Sequence, residues 1–532
     1  MVCSMHQDTV IEFLKNPRNY DQDVIDVDVI ETHISYVFIT NNRVYKLKRA
    51  VHYPYLDFSS LDKRKYYCDA EISINRRTAP DLYIGVAAVM CDDAGKLHIT
   101  HDLNYANISQ GKQNQIVEYL VVMKRFDEAT LFHNLAQSGQ LNRELIEQLS
   151  ITIVEFHRSA KSINCNGSMI IKDIIDNNAI SFKKFVEDEK IEKKVSLLQK
   201  LTLSRYQQMH KYLNNRSQNG RIRLCHGDLH LRNICMFGGK PTLFDAIEFN
   251  EDFSKIDIFY DLAFLIMDLG IHNHQRLANF CMNTYIDRSG DVDGLSVLPL
   301  FLSLRAAIRA HVGFAALKNQ IKSSVKSIQQ QKNDITQYLD HGIEYLKPSA
   351  PVLVAVGGLS GSGKSRLARE IAPNIGLSPG ARVIRTDVMR KQLMKVDLLQ
   401  KLDTSGYTSE MTLKTYSACY QQTIFSLKMG YSVVFDAVFA KPEERLFIQQ
   451  LARNLNIPFI GLWLDAPLEI RKQRVTQRIN NVSDAGIDVL NKQMDINVGD
   501  IYWSLLDSSG SRQKTLSKGQ EIIRSSFTQN SM

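Results

Sequence analysis

The chain has 532 residues, too many for one ordinary hydrophobic core, which sets an expectation of about two to four domains. Its 44% hydrophobic and 23% charged content is that of a soluble globular protein. A net charge of +8 is modest for this size; it suits phosphorylated ligands and does not demand nucleic acid.

The N-terminal run is amphipathic and carries Asp8 and Glu12, which does not read as a signal peptide. Residues 32–49 alternate apolar and polar around Asn41-Asn42, predicting a β-hairpin. Residues 61–78 read as helix, and 83–90 and 117–123 as strands. Beyond Leu131 the pattern is mostly helical, interrupted at 221–250. A small strand-rich lobe followed by a helical lobe is α+β. The interruption holds His226-Gly227-Asp228-Leu229-His230-Leu231-Arg232-Asn233, with Asp245 at the end of a strand-like run. Phosphoryl transfer of the kinase type needs one carboxylate to accept the hydroxyl proton, and an amide and a second carboxylate to hold metal between phosphates. Asp228 is the candidate base, with Asn233 and Asp245 the candidate Mg²⁺ ligands; a turn network of Asp and Asn is the plainer alternative. Asp257 and Asp261 lie in a helical run and read as supporting acids or as helix caps. Arg305 and Arg309 are one helical turn apart and read as a surface ion-pair face before an anion site. The longest apolar run, Leu295 to Leu304, ends at Arg305 and predicts a buried helix with no membrane span. Eight scattered cysteines without a C-x-x-C pair point to reduced thiols in a cytoplasmic protein.

Lys347-Pro348-Ser349-Ala350-Pro351 is the best boundary, dividing a first domain (1–346) from a second (352–525) and a tail (526–532). The second part alternates strands (352–356, 382–386, 432–436, 458–464) with helices, predicting an α/β fold with a parallel sheet. Gly358 to Ser365 fits G-x-x-x-x-G-K-[ST] between a strand and a helix. Gly358, Gly361 and Gly363 let backbone N–H groups wrap a phosphate, Ser360 and Ser362 lie in the same loop, Lys364 reaches the β- and γ-phosphates, and Ser365 ligates Mg²⁺. Asp387 ends the second strand and faces the crevice above the sheet, where ligands bind; an N-cap role is compatible. Asp436 ends a buried strand and fits a metal-side carboxylate. Arg471, Arg474 and Arg478 share a helix face, as a lid closing over ATP requires; a solvated basic face is the alternative.

HGDLHLRN with LFDAIEF resembles the aminoglycoside phosphotransferase superfamily, a branch of the protein-kinase-like fold. The stretches SYVFITNNRVYKLKR, PYLDFSSLDKRKYYCDAEISINRR, AFLIMDL, LRAAIRAHV and the P-loop half resemble a bacterial two-domain family described as bifunctional aminoglycoside phosphotransferase/ATP-binding proteins. That resemblance implies a bilobal kinase-like domain followed by a P-loop kinase domain, without implying an aminoglycoside substrate. It implies a strand lysine on the α/β-phosphates, Lys46 with Lys48 as rival, paired with Glu71 on a helix. Residues 121–124 would face adenine. It also implies Asp387 as base toward an acceptor hydroxyl, Arg390 as substrate clamp, and Ser483-Asp484-Ala485 as a lid end. No G-x-G-x-x-G precedes Lys46, so a short loop is expected there.

The resulting expectation is an ATP- and Mg²⁺-dependent phosphotransferase with two candidate sites, each moving a γ-phosphoryl group to a small-molecule hydroxyl, sugar or amino-sugar-like. A nucleotide-sensing regulator with one or no active site is an alternative. So is a 5′-hydroxyl polynucleotide kinase, although no aromatic stacking platform is evident and nucleic acid is the less favoured partner. No membrane partner is expected. Acceptor identity, coupling of the domains and oligomeric state lie beyond the sequence.

Overall fold

The computed structural model describes residues 6–20, 23–53, 56–102, 115–318, 325–477, 482–484, 486–494 and 496–529. The chain divides into two compact units, residues 1–165 with 217–265 and residues 166–216 with 266–532. The proline-bounded segment 347–351 lies inside the second of these.

In the first unit, α1 (Gln7–Lys15) precedes β1 (Asp28–Glu31), β2 (Ser35–Ile39) and β3 (Arg43–Lys48). The expected hairpin is β2–β3, with Ile39 opposite Val44 across the Asn41-Asn42 turn. A short hairpin of β4 (His52–Tyr53) and β5 (Leu56–Asp57) leads to α2 (Leu61–Asn75), which Ser60 caps by accepting the Lys63 N–H. Then come β6 (Tyr83–Cys91), β7 (Leu97–Thr100) and β8 (Gln115–Lys124), completing an antiparallel sheet in the order β1-β2-β3-β8-β6-β7. One face of this sheet packs on α1 through Phe38, Tyr45, Leu47, Leu120 and Leu14. The other packs on α2 through Cys68, Ile72, Val121 and Met123. Strand alternation therefore sends Lys46 and Lys48 to the α2 side while Tyr45 and Leu47 enter the α1 core. Helices α3 (Phe132–Gln137) and α4 (Arg143–Ser159) follow, and later two small antiparallel ribbons support the chemistry. These pair β9 (Ile222–Leu224) with β12 (Lys255–Asp257), and β10 (Ile234–Phe237) with β11 (Lys240–Leu243).

The second unit gathers α5 (Gly167–Phe185) and α6 (Glu189–Gln218) with segments that follow α7 (Ile258–Ile271), whose first half belongs to the first unit. These are α8 (Gln275–Ser289), α9 (Leu298–Lys318) and α10 (Val325–Glu344). Phe182, Leu198, Ala310, Phe314 and Leu339 form a core among α5, α6, α9 and α10. Helix α9 extends the apolar run expected to be buried; it is long and apolar enough to cross a membrane by length and composition alone, and 56% of its apolar window is buried. Within the same unit, β13 (Leu353–Gly357) leads through the glycine-rich loop to α11 (Lys364–Ile371). There follow β14 (Arg382–Arg385), α12 (Thr386–Leu393), α13 (Ser409–Lys428), β15 (Val433–Asp436), α14 (Pro442–Asn454), β16 (Phe459–Asp465), α15 (Leu468–Thr476), α16 (Ile487–Met494), β17 (Ser504–Asp507) and α17 (Arg512–Gln529). The sheet is parallel in the order β14-β15-β13-β16-β17. Every residue of β13 is buried, as expected of a central parallel strand covered on both faces. The four strands expected from sequence are present; the fifth, β17, was not foreseen. Its SLLD is only four residues long with one buried position, which gives periodicity nothing to register.

Candidate active sites

The first site is built where β3, α2 and the segment after β11 meet, with the loop after β9 bonded to that segment. Lys46 Nζ lies 2.9 Å from Glu71 Oε1 and 2.7 Å from Asp245 Oδ1. Lys48 Nζ lies 2.6 Å from Glu71 Oε2 and also bonds Glu248. One glutamate thus receives both lysines, but they differ in access: the Lys46 side chain is 15% exposed and the Lys48 side chain 1%. Lys46 is the one joined to the half-exposed Asp245, while Lys48 is sealed between two buried carboxylates. Burial alone would raise the Glu71 carboxyl, but the two ammonium groups outweigh it and bring it down to about 2. Burial and the nearby Glu71 charge push Glu248 upward despite Lys48. Burial opposes the charge on Lys46, yet Asp245 and then Glu71 raise it well above the ordinary value.

Asp245 adopts φ +60°, a left-handed backbone unusual for a residue with a Cβ. It is held there by its neighbours: its N–H donates to Tyr83 Oη at 3.1 Å, and the Ala246 N–H donates to Asn75 Oδ1 at 2.8 Å. Across the loop, Asn233 Nδ2 donates to the Asp228 carbonyl and to Asp228 Oδ2, both at 3.0 Å. His230 Nε2 is 3.3 Å from the same carboxylate oxygen. The Asp228 side chain remains 36% exposed. Beneath it, Asp261 on α7 accepts the N–H groups of His226 (3.0 Å) and Gly227 (2.9 Å), and His157 Nε2 lies 3.2 Å away. Asp261 therefore acts as the post on which the loop hangs. Gly227 has φ +87°, and a Cβ there would meet the Phe253 carbonyl at 3.0 Å. His226 is buried, and burial lowers its pKa so that the neutral ring bonds the Phe244 carbonyl. His157, Cys225 and Asp261 are close enough to hold a metal, but the Asp261 oxygens already serve backbone N–H groups.

The expected short loop before Lys46 is the β1–β2 turn, where the Thr32 hydroxyl accepts the Ser35 N–H. Residues 121–124 form the end of β8. A divalent ion of the Mg²⁺ kind fits the donor set: with Asn233 Nδ2 directed to Asp228, its carbonyl oxygen and the Asp245 carboxylate are the hard oxygens left to the ion.

The second site lies at the carboxyl ends of β13, β14 and β15, the end at which open α/β sheets bind ligands. Gly358 has φ +137°, and a Cβ there would sit 2.4 Å from the Leu464 carbonyl; at Gly361, φ +83°, it would sit 2.7 Å from the Arg471 carbonyl. Only glycine fits at either position. The buried Ser362 Oγ has no hydrogen-bond partner, and Lys364 Nζ bonds the Leu359 carbonyl at 3.0 Å. Ser365 is the second residue of α11, whose N-terminus favours negative charge. A cradle that no Cβ can enter, an orphaned hydroxyl and a helix N-terminus fit a polyphosphate.

Two of the arginines expected on a lid lie against this loop. Arg471 packs against Gly361 and is buried, with its Nε and Nη1 lacking partners. Arg474 Nη2 donates to the Ser508 carbonyl at 2.6 Å, and its Nη1 is 3.5 Å from the Ser362 carbonyl. Arg478 lies outside the described residues. A cavity of ≈ 340 Å³ beside the loop is lined by Leu359, Trp463, Asp465, Arg471, Val498 and Ile501. Ser360 donates its N–H to Gln493 Oε1 on α16 at 2.8 Å.

The strand stops at Arg385, which is also the N-cap of α12, so Asp387 neither ends the strand nor caps the helix but lies in its first turn. Arg390, three residues on, is already engaged: its Nη1 donates to the Gly406 carbonyl at 2.7 Å and its guanidinium lies over the Tyr407 ring. Its Nε is buried without a partner. Asp436 is 5% exposed and sits 3.4 Å from Arg385, its register partner on β14. Sequence reasoning missed Glu248, Arg385, Tyr407 and Gln493. A carboxylate amid apolar residues, as in Ala246-Ile247-Glu248-Phe249, was a usable signal for the first; nothing local marks the others.

Residues 103–286 match the phosphotransferase enzyme family, and residues 353–496 match an AAA domain. An uncharacterized protein of Mycobacterium tuberculosis is 24% identical over 517 residues, covering 94% of this chain and 96% of its own length. An adenylyl-sulfate kinase of Myxococcus xanthus is 26% identical over 122 residues, 23% of this chain and 62% of that enzyme. A choline kinase structure from Cryptosporidium parvum aligns at TM-score 0.38 and 10% identity, covering 63% of this chain and 95% of that one. The chain thus carries an α+β, kinase-like phosphotransferase domain and an α/β P-loop domain with a parallel sheet, and it is an ATP-dependent phosphotransferase.

Proposed function

We propose that both sites transfer the γ-phosphoryl group of ATP to a hydroxyl of a small molecule, sugar or amino-sugar-like at the first site. The observation that carries this reading is the chain Glu71–Lys46–Asp245, closed by contacts of 2.9 and 2.7 Å, on the same unit as the Asp228–Asn233 pair. At the first site Lys46, steadied by Glu71, binds the α/β-phosphates. Asp228 accepts the acceptor's hydroxyl proton as the oxygen bonds to the γ-phosphorus, and the bond to the ADP oxygen breaks. Mg²⁺, held by Asn233 and Asp245, would offset the negative charge of the phosphates.

At the second site Gly358 to Ser365 cradle the phosphates, Lys364 steadies the β- and γ-groups, and Arg471 and Arg474, with Arg478, complete the lid. Asp387 accepts the acceptor proton and Arg390 orients the acceptor. Ser365 and Asp436 would hold the Mg²⁺ of this site, which requires Asp436 to share its carboxylate with Arg385. The family matches end at residue 286 and begin again at 353, which supports a sequence division at 347–351. A cytoplasmic location follows from the reading of the cysteines, and no disulfide joins the described ones.

A second reading, in which the P-loop site is latent, is favoured by Gln493 occupying the Ser360 N–H. The test is γ-labelled ATP incubated with a cell metabolite extract and full-length Asp228→Ala, Lys364→Ala or the double variant. Each single variant should remove a distinct phosphorylated product. If Lys364→Ala removes none, the latent reading stands for that site; if neither removes any, the two-site reading fails.

A further inference from the structure

In the P-loop sheet, β14 is an edge strand, and it delivers Asp387. One side of it pairs with β15. The other side would present bare N–H and C=O groups, which proteins cover or pair. Here the cover is α8, whose Asn279, Asn283 and Asp287 recur every four residues and so share one face.

The contacts are specific. Asn279 Nδ2 donates to the Ala381 carbonyl at 3.0 Å, and Asn283 Nδ2 reaches the same oxygen at 3.2 Å. Asn283 Oδ1 accepts the Val383 N–H at 2.8 Å and Arg382 Nη1 at 2.9 Å. Arg382, 2% exposed, places Nη2 2.6 Å from Asp287 Oδ1. The carbonyl of Asp287 then accepts Nε2 of Gln392 on α12. A single helix face therefore grips the strand before Asp387 and the helix after it. Two anchors on either side of a side chain fix it far better than either alone, and Asn279, Asn283 and Arg382 are buried, so their polar groups depend on these contacts.

We propose that Asn283 and Asp287 are positioning residues of the P-loop site, acting through β14 and α12 to hold Asp387 in register with the phosphate loop. The kinetic half of this proposal rests on the phosphotransfer reading of that site. The test uses the full-length chain carrying Asp228→Asn, with ATP as the probe and water as the acceptor, and reads the hydrolysis that Lys364→Ala removes. Asn283→Ala should lower kcat about tenfold, the worth of roughly one buried hydrogen bond, and leave KM for ATP within about twofold. Deuterium exchange at residues 382–387 should quicken by about the same factor. Asn283→Gln keeps both the amide acceptor used by Val383 and Arg382 and an amide donor for Ala381 and Asn279, and should restore much of both. Unchanged exchange at 382–387 overturns the proposal. So does a rise in KM that matches the fall in kcat without rescue by Asn283→Gln, the mark of general loosening. Hydrolysis indifferent to Lys364→Ala refutes the reading of the site instead, and exchange still decides whether α8 anchors the Asp387 segment.

Discussion

The two lysines of β3 separate cleanly under substitution. Lys48 is buried between Glu71 and Glu248, with side-chain exposures of 1%, 0% and 5%. Lys48→Met leaves Glu248 charged and unpaired in the interior and halves the compensation of Glu71; breaking such a buried pair costs about 3–5 kcal/mol. At about 1.4 kcal/mol per factor of ten, local opening should become roughly two to three and a half orders of magnitude more frequent. Lys46→Met leaves Glu71 with Lys48 and Asp245 facing solvent, so it should destabilise less than Lys48→Met while turnover at this site falls about 10²–10³-fold. The assay is deuterium exchange of the β3 and β8 amides, with ATP turnover measured in parallel. Lys48→Met/Glu248→Leu should recover most of the lost protection. The reasoning is refuted if Lys48→Met keeps full protection but loses turnover, or if Lys46→Met remains active.

Asp228→Asn retains the partner of Asn233 but cannot take a proton, and product formation at the first site should drop about 10²–10⁴-fold in a labelled-ATP assay without a change in circular dichroism. Gly361→Ala forces a Cβ to within 2.7 Å of the Arg471 carbonyl at φ +83°, so affinity for ATP at the P-loop, read by calorimetry in the Lys46→Met background, should fall at least about tenfold. The His226 ring should titrate below its ordinary value of about 6.5 in an NMR pH series. Because its folded pKa is depressed, the stability it shares is present above about pH 6.5 and declines as acid protonates the unfolded ring; a titration above that value contradicts the buried, neutral ring. Glu71 works in the lower range, where its stabilisation persists above the ordinary carboxyl pKa and is lost as pH falls toward about 2. In Lys46→Met, loss of protection in α2 should therefore begin at a higher pH than in the parent chain.

Much of both sites was legible because their chemistry demands short, fixed spacings. In the proposed function Gly358 to Ser365 wrap one phosphate, and Asp228 and Asn233 serve one reaction centre from one loop. Such requirements leave a linear trace, and so does a hairpin whose Asn41-Asn42 turn sits between two alternating runs. Other features had no local trace. Lys46 meets Asp245 from 199 positions away, and the choice between Lys46 and Lys48 depends on which carboxylates arrive from the far ribbon. The Arg385–Asp436 pair follows from strand register, and the anchoring of β14 follows from how a polar helix face meets a sheet edge.

The amino-acid sequence by itself determined that this chain holds two phosphate-handling constellations, because backbone freedom at glycine and the reach of Lys, Asp and Asn side chains are local properties. Tertiary structure alone decided what each group does within its constellation. Burial made Lys48 a sealed counter-ion and left Lys46 facing Asp245; it turned Arg390 toward Gly406 and Tyr407; and it enlisted α8, encoded about a hundred residues earlier, to hold the strand that precedes Asp387. Desolvation and pairing across long sequence separations set those outcomes, and both exist only once the chain has folded.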